Sequence, residues 1–125
     1  MSLKAVIQFI NKTDDVEKGV GKFVNVAVQK SLLVMERNIK VNTPVQEGHL
    51  RRSISNRMID FFNGEVFTNP VSGNVETKYA LFVEFGTKFM APRAMFRKGA
   101  AQSQEKIQEI FKDEAENVLS EVRGV

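Results

Sequence analysis

The stretch Tyr79–Phe96, YALFVEFGTKFMAPRAMF, decides how the rest of the chain must be arranged. Its first seven residues read as a β-strand. Side chains alternate along a strand, so Tyr79, Leu81, Val83 and Phe85 point to one face and Ala80, Phe82 and Glu84 to the other. Both faces are largely apolar, so this strand is expected to be covered on both sides. A helix of the same chain can supply one cover. A chain of 125 residues seldom builds three layers, so a second subunit is the expected source of the other. Gly86-Thr87 ends the strand with a residue free to take positive φ, and Pro92 suits the first turn of a helix, where its missing N–H costs nothing. The intervening loop, Gly86–Ala91, is expected to expose Lys88, Phe89 and Met90. Large apolar side chains at a loop tip either fold back onto their own domain or are bound by something else.

Upstream, LKAVIQFI (Leu3–Ile10) is rich in β-branched and aromatic residues and bounded by Asn11, which predicts a first strand. Thr13 or Asp14 can cap the helix that follows, with Glu17 placed to complete a capping box. Val16, Val20, Phe23, Val24, Ala27, Ser31, Val34, Met35 and Asn38 then recur at steps of three and four. That is a long amphipathic helix ending near Lys40, its stripe facing the core. Pro44 stops it, because the residue before a proline is pushed away from helical dihedrals. Val45–Ile54 reads as a tight turn with a short helical turn, anchored by Leu50 and Ile54, with Arg51 and Arg52 projecting outward. Ser53–Phe62 and Glu65–Thr68 flank Asn63-Gly64, the dipeptide favoured in a type I′ hairpin turn. Asn69–Lys78 is polar and turn-rich, a loop. Downstream, Phe96, Ala100, Ser103, Ile107, Ile110, Phe111, Glu114, Val118 and Val122 predict a second long helix beside the first or on the sheet. The fold class is therefore α+β: a long amphipathic helix and a C-terminal helix on a small antiparallel sheet with a central hairpin, forming one domain over residues 1–125.

The totals exclude several classes of function. With 42% hydrophobic residues and ten phenylalanines the chain has material for a core. It has no cysteine, which removes disulfides, thiol nucleophiles and thiolate metal sites. No apolar run approaches the roughly 18 residues of a membrane span, and no signal-like N-terminus is apparent. The formal charge is +3, but residues 41–100 carry eight Lys/Arg against five Asp/Glu while 101–125 carry three against six. A basic middle and an acidic tail suit head-to-tail contact between copies, a phosphate-facing surface, or ordinary solvated faces.

Catalytic signals are sparse. His49, the single histidine, has no cysteine or second histidine to join in a metal site or a Cys–His pair, and Ser53 four residues on has no identifiable orienting carboxylate. No phosphate-binding glycine pattern is present, and no cofactor is indicated. Glu84 is the single charge in the apolar strand. It is expected to meet Arg51, Arg52 or Arg93 or to sit at a subunit boundary; the alternative is a wet edge strand. Arg51, Arg52, Arg57, Lys88, Arg93, Arg97 and Lys98 form the main basic set, without a helix-turn-helix, zinc finger or RNA-binding aromatic motif beside it.

Two stretches in this order, NTPVQEGHLRRSI (Asn42–Ile54) and YALFVEFGTKFMAPRAMFRKGA (Tyr79–Ala100), resemble the small neck or tail-completion proteins of long-tailed bacteriophages and prophages. The resemblance extends over roughly residues 13–122 and to the order of elements: long helix, Thr-Pro-Val…Gly-x-Leu-Arg-x-Ser-Ile turn, hairpin, Tyr-Ala-x-Phe-Val-Glu-Phe-Gly-Thr strand, loop and closing helix. The chain departs from the pattern at Gln46-Glu47 and at Arg93-Ala94-Met95. The resemblance implies a non-enzymatic structural protein of the virion neck, assembled in the host cytoplasm as a homo-oligomeric ring around the DNA channel. Its neighbours would be head-closure and tail proteins, with no membrane. Phe82, Glu84, Phe85, Lys88, Phe89 and Met90 are then the subunit-interface candidates. Arg51, Arg52, Arg93 and Arg97 are candidates for the DNA channel or for salt bridges. Two rival classes stand beside this: a non-specific nucleic-acid-binding module, and a small hydrolase pairing His49 and Glu84 from different subunits.

Overall fold

The computed structural model describes residues 3–8, 18–44, 48–69 and 77–122. In chain order the elements are β1 (Lys4–Gln8), α1 (Lys18–Asn42), α2 (Gly48–Ser53), β2 (Ile54–Met58), β3 (Asn63–Thr68), α3 (Thr77–Phe85) and α4 (Met95–Val122). The architecture is α+β, mostly helical, with long helices on a three-stranded antiparallel sheet of order β1-β3-β2. The predicted helix cap at 13–17 lies outside the described residues, as does most of the predicted loop at 69–78.

The long helix α1 buries Val24, Ala27, Val28, Ser31, Leu32, Met35 and Ile39, the three- and four-residue spacing that places side chains on one side of a helix. This is a broader band than the predicted stripe, which lacked Val28, Leu32 and Ile39. The breadth follows from two neighbours: α1 packs on the sheet and on α4. Leu32 sits against Gly64 of β3, where a side chain at position 64 would collide with it. Asn56 of β2 donates to Glu36 of α1 (3.2 Å) from the same side of the sheet.

Against α4, α1 runs antiparallel. Asn42 Nδ2 donates to Gln102 Oε1 (2.8 Å), Asn38 Nδ2 to Ser103 Oγ (2.8 Å), and Lys30 pairs with Glu114. The approach is closest at Gly99, where an added Cβ would lie 2.7 Å from both the Ile39 Cα and the Ile39 backbone nitrogen. The small residues Ala27, Ser31, Gly99 and Ser103 are all buried, which allows helix axes to come near the lower end of the usual interaxial range.

In the sheet, β3 is central. Val66 pairs with Ala5 of β1 and Asn56 of β2, and Glu65 with Val6 and Arg57. Gly64, Val66 and Thr68 share the face toward α1, while Glu65 and Phe67 take the other, as the period of two demands. Buried Glu65 accepts from Arg57 Nε (2.7 Å) and lies 3.7 Å from Lys4 Nζ, and the Arg57 guanidinium stacks 4.4 Å from the Phe67 ring centroid. Arg57, grouped by sequence with the free basic residues, is committed to this cross-strand cluster.

Two expectations are corrected here. The hairpin forms, but Asn63-Gly64 is not its turn: both residues belong to β3, and of the described glycines Gly86 has the positive φ. The turn is Ile59–Phe62. Asp60 Oδ1 accepts from the backbone N–H of Phe62 (2.8 Å) and Asn63 (2.9 Å), while the Asn63 carbonyl accepts from Ile59 N–H (2.8 Å). An aspartate bonding the backbone two and three residues ahead builds a turn by itself, and packing of Leu32 assigns Gly64 to the strand.

The second correction concerns residues 79–85, which are helical rather than extended. Ala80, Val83 and Glu84 are buried, and Phe82 and Phe85 are exposed. At 100° per residue, 80, 83 and 84 fall together and 82 and 85 fall opposite, whereas the strand reading mixed the two groups. A short apolar run with no clean alternation is ambiguous between the two periods. Within the chain the side carrying Ala80, Val83 and Glu84 is covered, and the side carrying Phe82 and Phe85 faces outward.

Two measurements test this account. Gly99→Ala drives a methyl into the Ile39 backbone, which has no rotamer to yield; urea unfolding is expected to show a loss of about 1–3 kcal/mol, and an unchanged midpoint contradicts the close approach. Asp60 has its pKa lowered below the ordinary 3.8, chiefly by the Asn63 side chain and then by the Phe62 N–H. A lowered carboxylate pKa stabilises the turn above the unfolded-state value and is lost as pH falls through the folded-state value. An NMR titration is expected to show the Phe62 and Asn63 amides moving with a midpoint below 3.8; a midpoint at or above it contradicts the Asp60-anchored turn.

Candidate docking surface

The corner between α3 and α4 gathers most of the residues singled out from the sequence. Helix α3 ends where Gly86, at φ 78°, donates its N–H to Phe82 O (2.7 Å). This is a left-handed C-terminal cap, the position where glycine carries no Cβ penalty. A Cβ here would also lie 2.7 Å from Pro92 N and 2.8 Å from Met90 O. The chain then reverses: Thr87 N–H donates to Met90 O (2.8 Å) and Phe89 N–H to Thr87 Oγ1 (3.1 Å). Lys88 and Phe89 form the tip, and Phe89 is 93% exposed. Met90, expected at the exposed tip, is instead partly buried against the core. Pro92 lies before α4 rather than in its first turn, and Ala94, at φ 50°, is the residue from which the helix starts, its carbonyl accepting from Lys98 N–H (2.8 Å).

Glu84 explains how that start is held. It is 4% exposed, and its carboxylate accepts from the backbone N–H of Phe96 through Oε2 (2.9 Å) and of Arg97 through Oε1 (3.0 Å). The first N–H groups of a helix have no partner within it and carry the positive end of its dipole. A carboxylate from a neighbouring helix satisfies both. The carbonyls of Val83 and Glu84 accept from Arg93 N–H (2.8 Å) and Ala94 N–H (3.0 Å), so four hydrogen bonds join α3 to the start of α4. The expected pairing with Arg51, Arg52 or Arg93 is therefore corrected: among the described residues Glu84 forms no ion pair, and its clasp is made to backbone. Spacing gave no hint of this, since residues 84 and 96 are read as parts of separate elements until the turn at 87–90 is known.

The predicted arginines part company. Arg51 is half-buried and donates to Thr43 O (2.6 Å) at the C-terminal end of α1, a favourable place for a cation. Thr43 Oγ1 in turn donates to Ile39 O (2.8 Å) and approaches Met95 Sδ at 3.4 Å, so the 42–54 motif meets the start of α4. Arg52 is exposed and donates to His49 Nδ1 (2.8 Å), while Ser53 Oγ donates to Leu50 O (2.6 Å). His49 and Ser53 are thus separately engaged. Arg93 and Arg97 are exposed beside the 86–91 corner, as is Lys88.

What remains on the outer side is aromatic. Phe82 and Phe85, three apart on one face of α3, are 45% and 68% exposed, and Phe89 follows at the tip. A family model described as "Bacteriophage HK97-gp10, putative tail-component" matches residues 7–86, from β1 through α3 to its capping glycine. The chain belongs to this HK97-gp10-like family. Membership places it among structural components of the phage tail and hence of the virion, consistent with the neck and tail-completion resemblance of its two motifs. No curated protein and no solved structure matches the chain significantly. Among the described residues no helix is long and apolar enough to cross a membrane.

Removing the carboxylate tests the clasp. Glu84→Ala leaves the buried Phe96 N–H and the part-buried Arg97 N–H without their acceptor and is expected to cost about 2–3 kcal/mol in urea unfolding, with Glu84→Gln losing less because one acceptor remains. Equal and negligible losses for both substitutions contradict a capping role.

Proposed function

We propose that this protein is a structural neck component that completes the tail and joins it to the head, working as a ring of copies around the DNA channel. The observation that carries the reading is the exposure of Phe82, Phe85 and Phe89 on a corner pinned by four backbone-directed hydrogen bonds, in a member of a phage tail-component family. A backbone tied in place before docking leaves less ordering to be done on binding, and aromatic residues are enriched at protein interfaces. Phe82, Phe85, Lys88 and Phe89 are assigned to the contact between subunits, while Glu84 and Met90 support it from behind. Of the basic residues considered for the channel or for salt bridges, Arg52, Arg93 and Arg97 remain exposed, Arg52 open to passing phosphates and Arg93 and Arg97 open to pairing beside the aromatic corner; Arg51 is occupied at Thr43. The role is non-enzymatic, exercised by one domain in the virion neck after assembly in host cytoplasm, between head-closure and tail proteins.

Electron microscopy of lysates after disruption of the gene in its source phage or induced prophage tests this. Filled heads and tails are expected to accumulate separately. Joined, infectious virions would sink the proposal.

A further inference from the structure

Beside the aromatic corner stand Lys88, Arg93 and Arg97, exposed and without an ion pair among the described residues. The opposite sign is concentrated on the far part of α4. Glu105, Glu109, Asp113 and Glu116, at steps of four, four and three, fall on one side of the helix, and all four are exposed. Lys106, which pairs with Glu109, borders this side, and Lys112 lies on it between Leu119 and the acids, which leaves four carboxylates against two ammonium groups. Leu119, 50% exposed, continues it by three residues past Glu116 and adds an apolar contact.

Both surfaces belong to one rigid helix and its N-terminal corner. Arg97 and Glu116 are nineteen residues apart on α4, about 28 Å at the helical rise. The two surfaces of a single copy therefore cannot meet.

We infer that the surface facing the aromatic corner across the contact between copies is the acidic side of α4 of the second copy. Phe82, Phe85 and Phe89 would cover Leu119 and the helix stems, with Lys88, Arg93 and Arg97 facing Glu109, Asp113 and Glu116. The charge complementarity selects this partner over a nucleic acid or an anionic vesicle, because it also accounts for the acidic side, which neither of those can use. The contact joins two different surfaces, so each copy has one of each free for the next, and repetition closes a ring or grows a filament. This deepens the structural role proposed above and rests on it for the purpose of the assembly, although not for the contact itself.

Charge reversal on the purified full chain tests the pairing. Wild-type protein is expected to self-associate at low salt in sedimentation experiments and to dissociate as salt screens the contact. R93E/R97E, with two acidic surfaces, and D113K/E116K, with two basic ones, are each expected to weaken self-association at least about tenfold. An equimolar mixture of the two variants is expected to assemble, because each surface again finds its opposite. F85S removes the aromatic centre and weakens assembly without altering the charge match, and circular dichroism reports whether each variant keeps the wild-type fold. Wild-type protein that stays monomeric up to about 1 mM, where even millimolar affinities populate complexes, overturns the inference. So does a mixture that fails to assemble while both folded variants remain monomeric, or capture of a DNA duplex or phosphatidylserine vesicles through Arg93 and Arg97 without self-association. These outcomes are independent of the lysate experiment: joined virions after gene disruption would remove the neck role while leaving the contact standing, and a monomeric chain would leave the neck role standing without this contact.

Discussion

The fold turns on a carboxylate, that of Glu84, held against the first free N–H groups of α4. At 28 residues α4 is the longest element, and its direction is set where it begins. Two charge-assisted bonds there, with two more from the carbonyls of Val83 and Glu84, weld a nine-residue helix to a 28-residue one through a turn of a few residues. Ala94 enters the left-handed region at this junction, at a cost of about 1 kcal/mol for a non-glycine residue. The four bonds offset that cost, and they seat Met95 and Phe96 in the core.

From that junction the packing follows. α4 runs back along α1, and Gly99 lets the two backbones touch at Ile39, which brings Asn38 and Ser103, then Lys30 and Glu114, into register. α1 is thereby buried on two sides. The sheet takes the second side, with Leu32 resting on Gly64, where an added Cβ would force the Leu32 side chain to shift. Arg51 acts at the same end as Glu84, holding the last turn of α1, whose Thr43 reaches Met95 at the start of α4. Stability and presentation are linked here: a corner tied by so many backbone bonds keeps Phe82, Phe85 and Phe89 outward even though burying them would be favourable for the isolated chain.

Much of the candidate site was legible because its signals are local. The spacing of apolar residues marks α1 and α4, the glycine at 86 marks a positive-φ stop, and an apolar tip at Phe89 marks exposure. Grouping Glu84 with the interface residues came from its isolation in an apolar run, and that isolation does have a structural cause. The cause itself was hidden. A buried acid suggests an arginine partner by charge alone, yet backbone N–H groups at a helix start are equally good partners and leave no mark in the side-chain sequence. Arg51, Arg57 and Arg97 look alike in sequence, although one holds α1, one stacks on Phe67 and one is exposed.

By itself the sequence determined the α+β class, the two long helices, the short helical turn at 48–53, the hairpin and the glycine stop. Each rests on periodicity or on a backbone preference spanning a few residues. Tertiary structure decided the rest. YALFVEF became a helix because burial of Ala80, Val83 and Glu84 together, with Glu84 at the start of α4, satisfies both the core and the orphan N–H groups, which a strand of the same residues could not do. Asn63-Gly64 became part of a strand because Leu32, thirty-two positions away from Gly64, needs the space of the missing side chain. In both cases the local signal was compatible with two conformations, and a contact from a distant element chose between them.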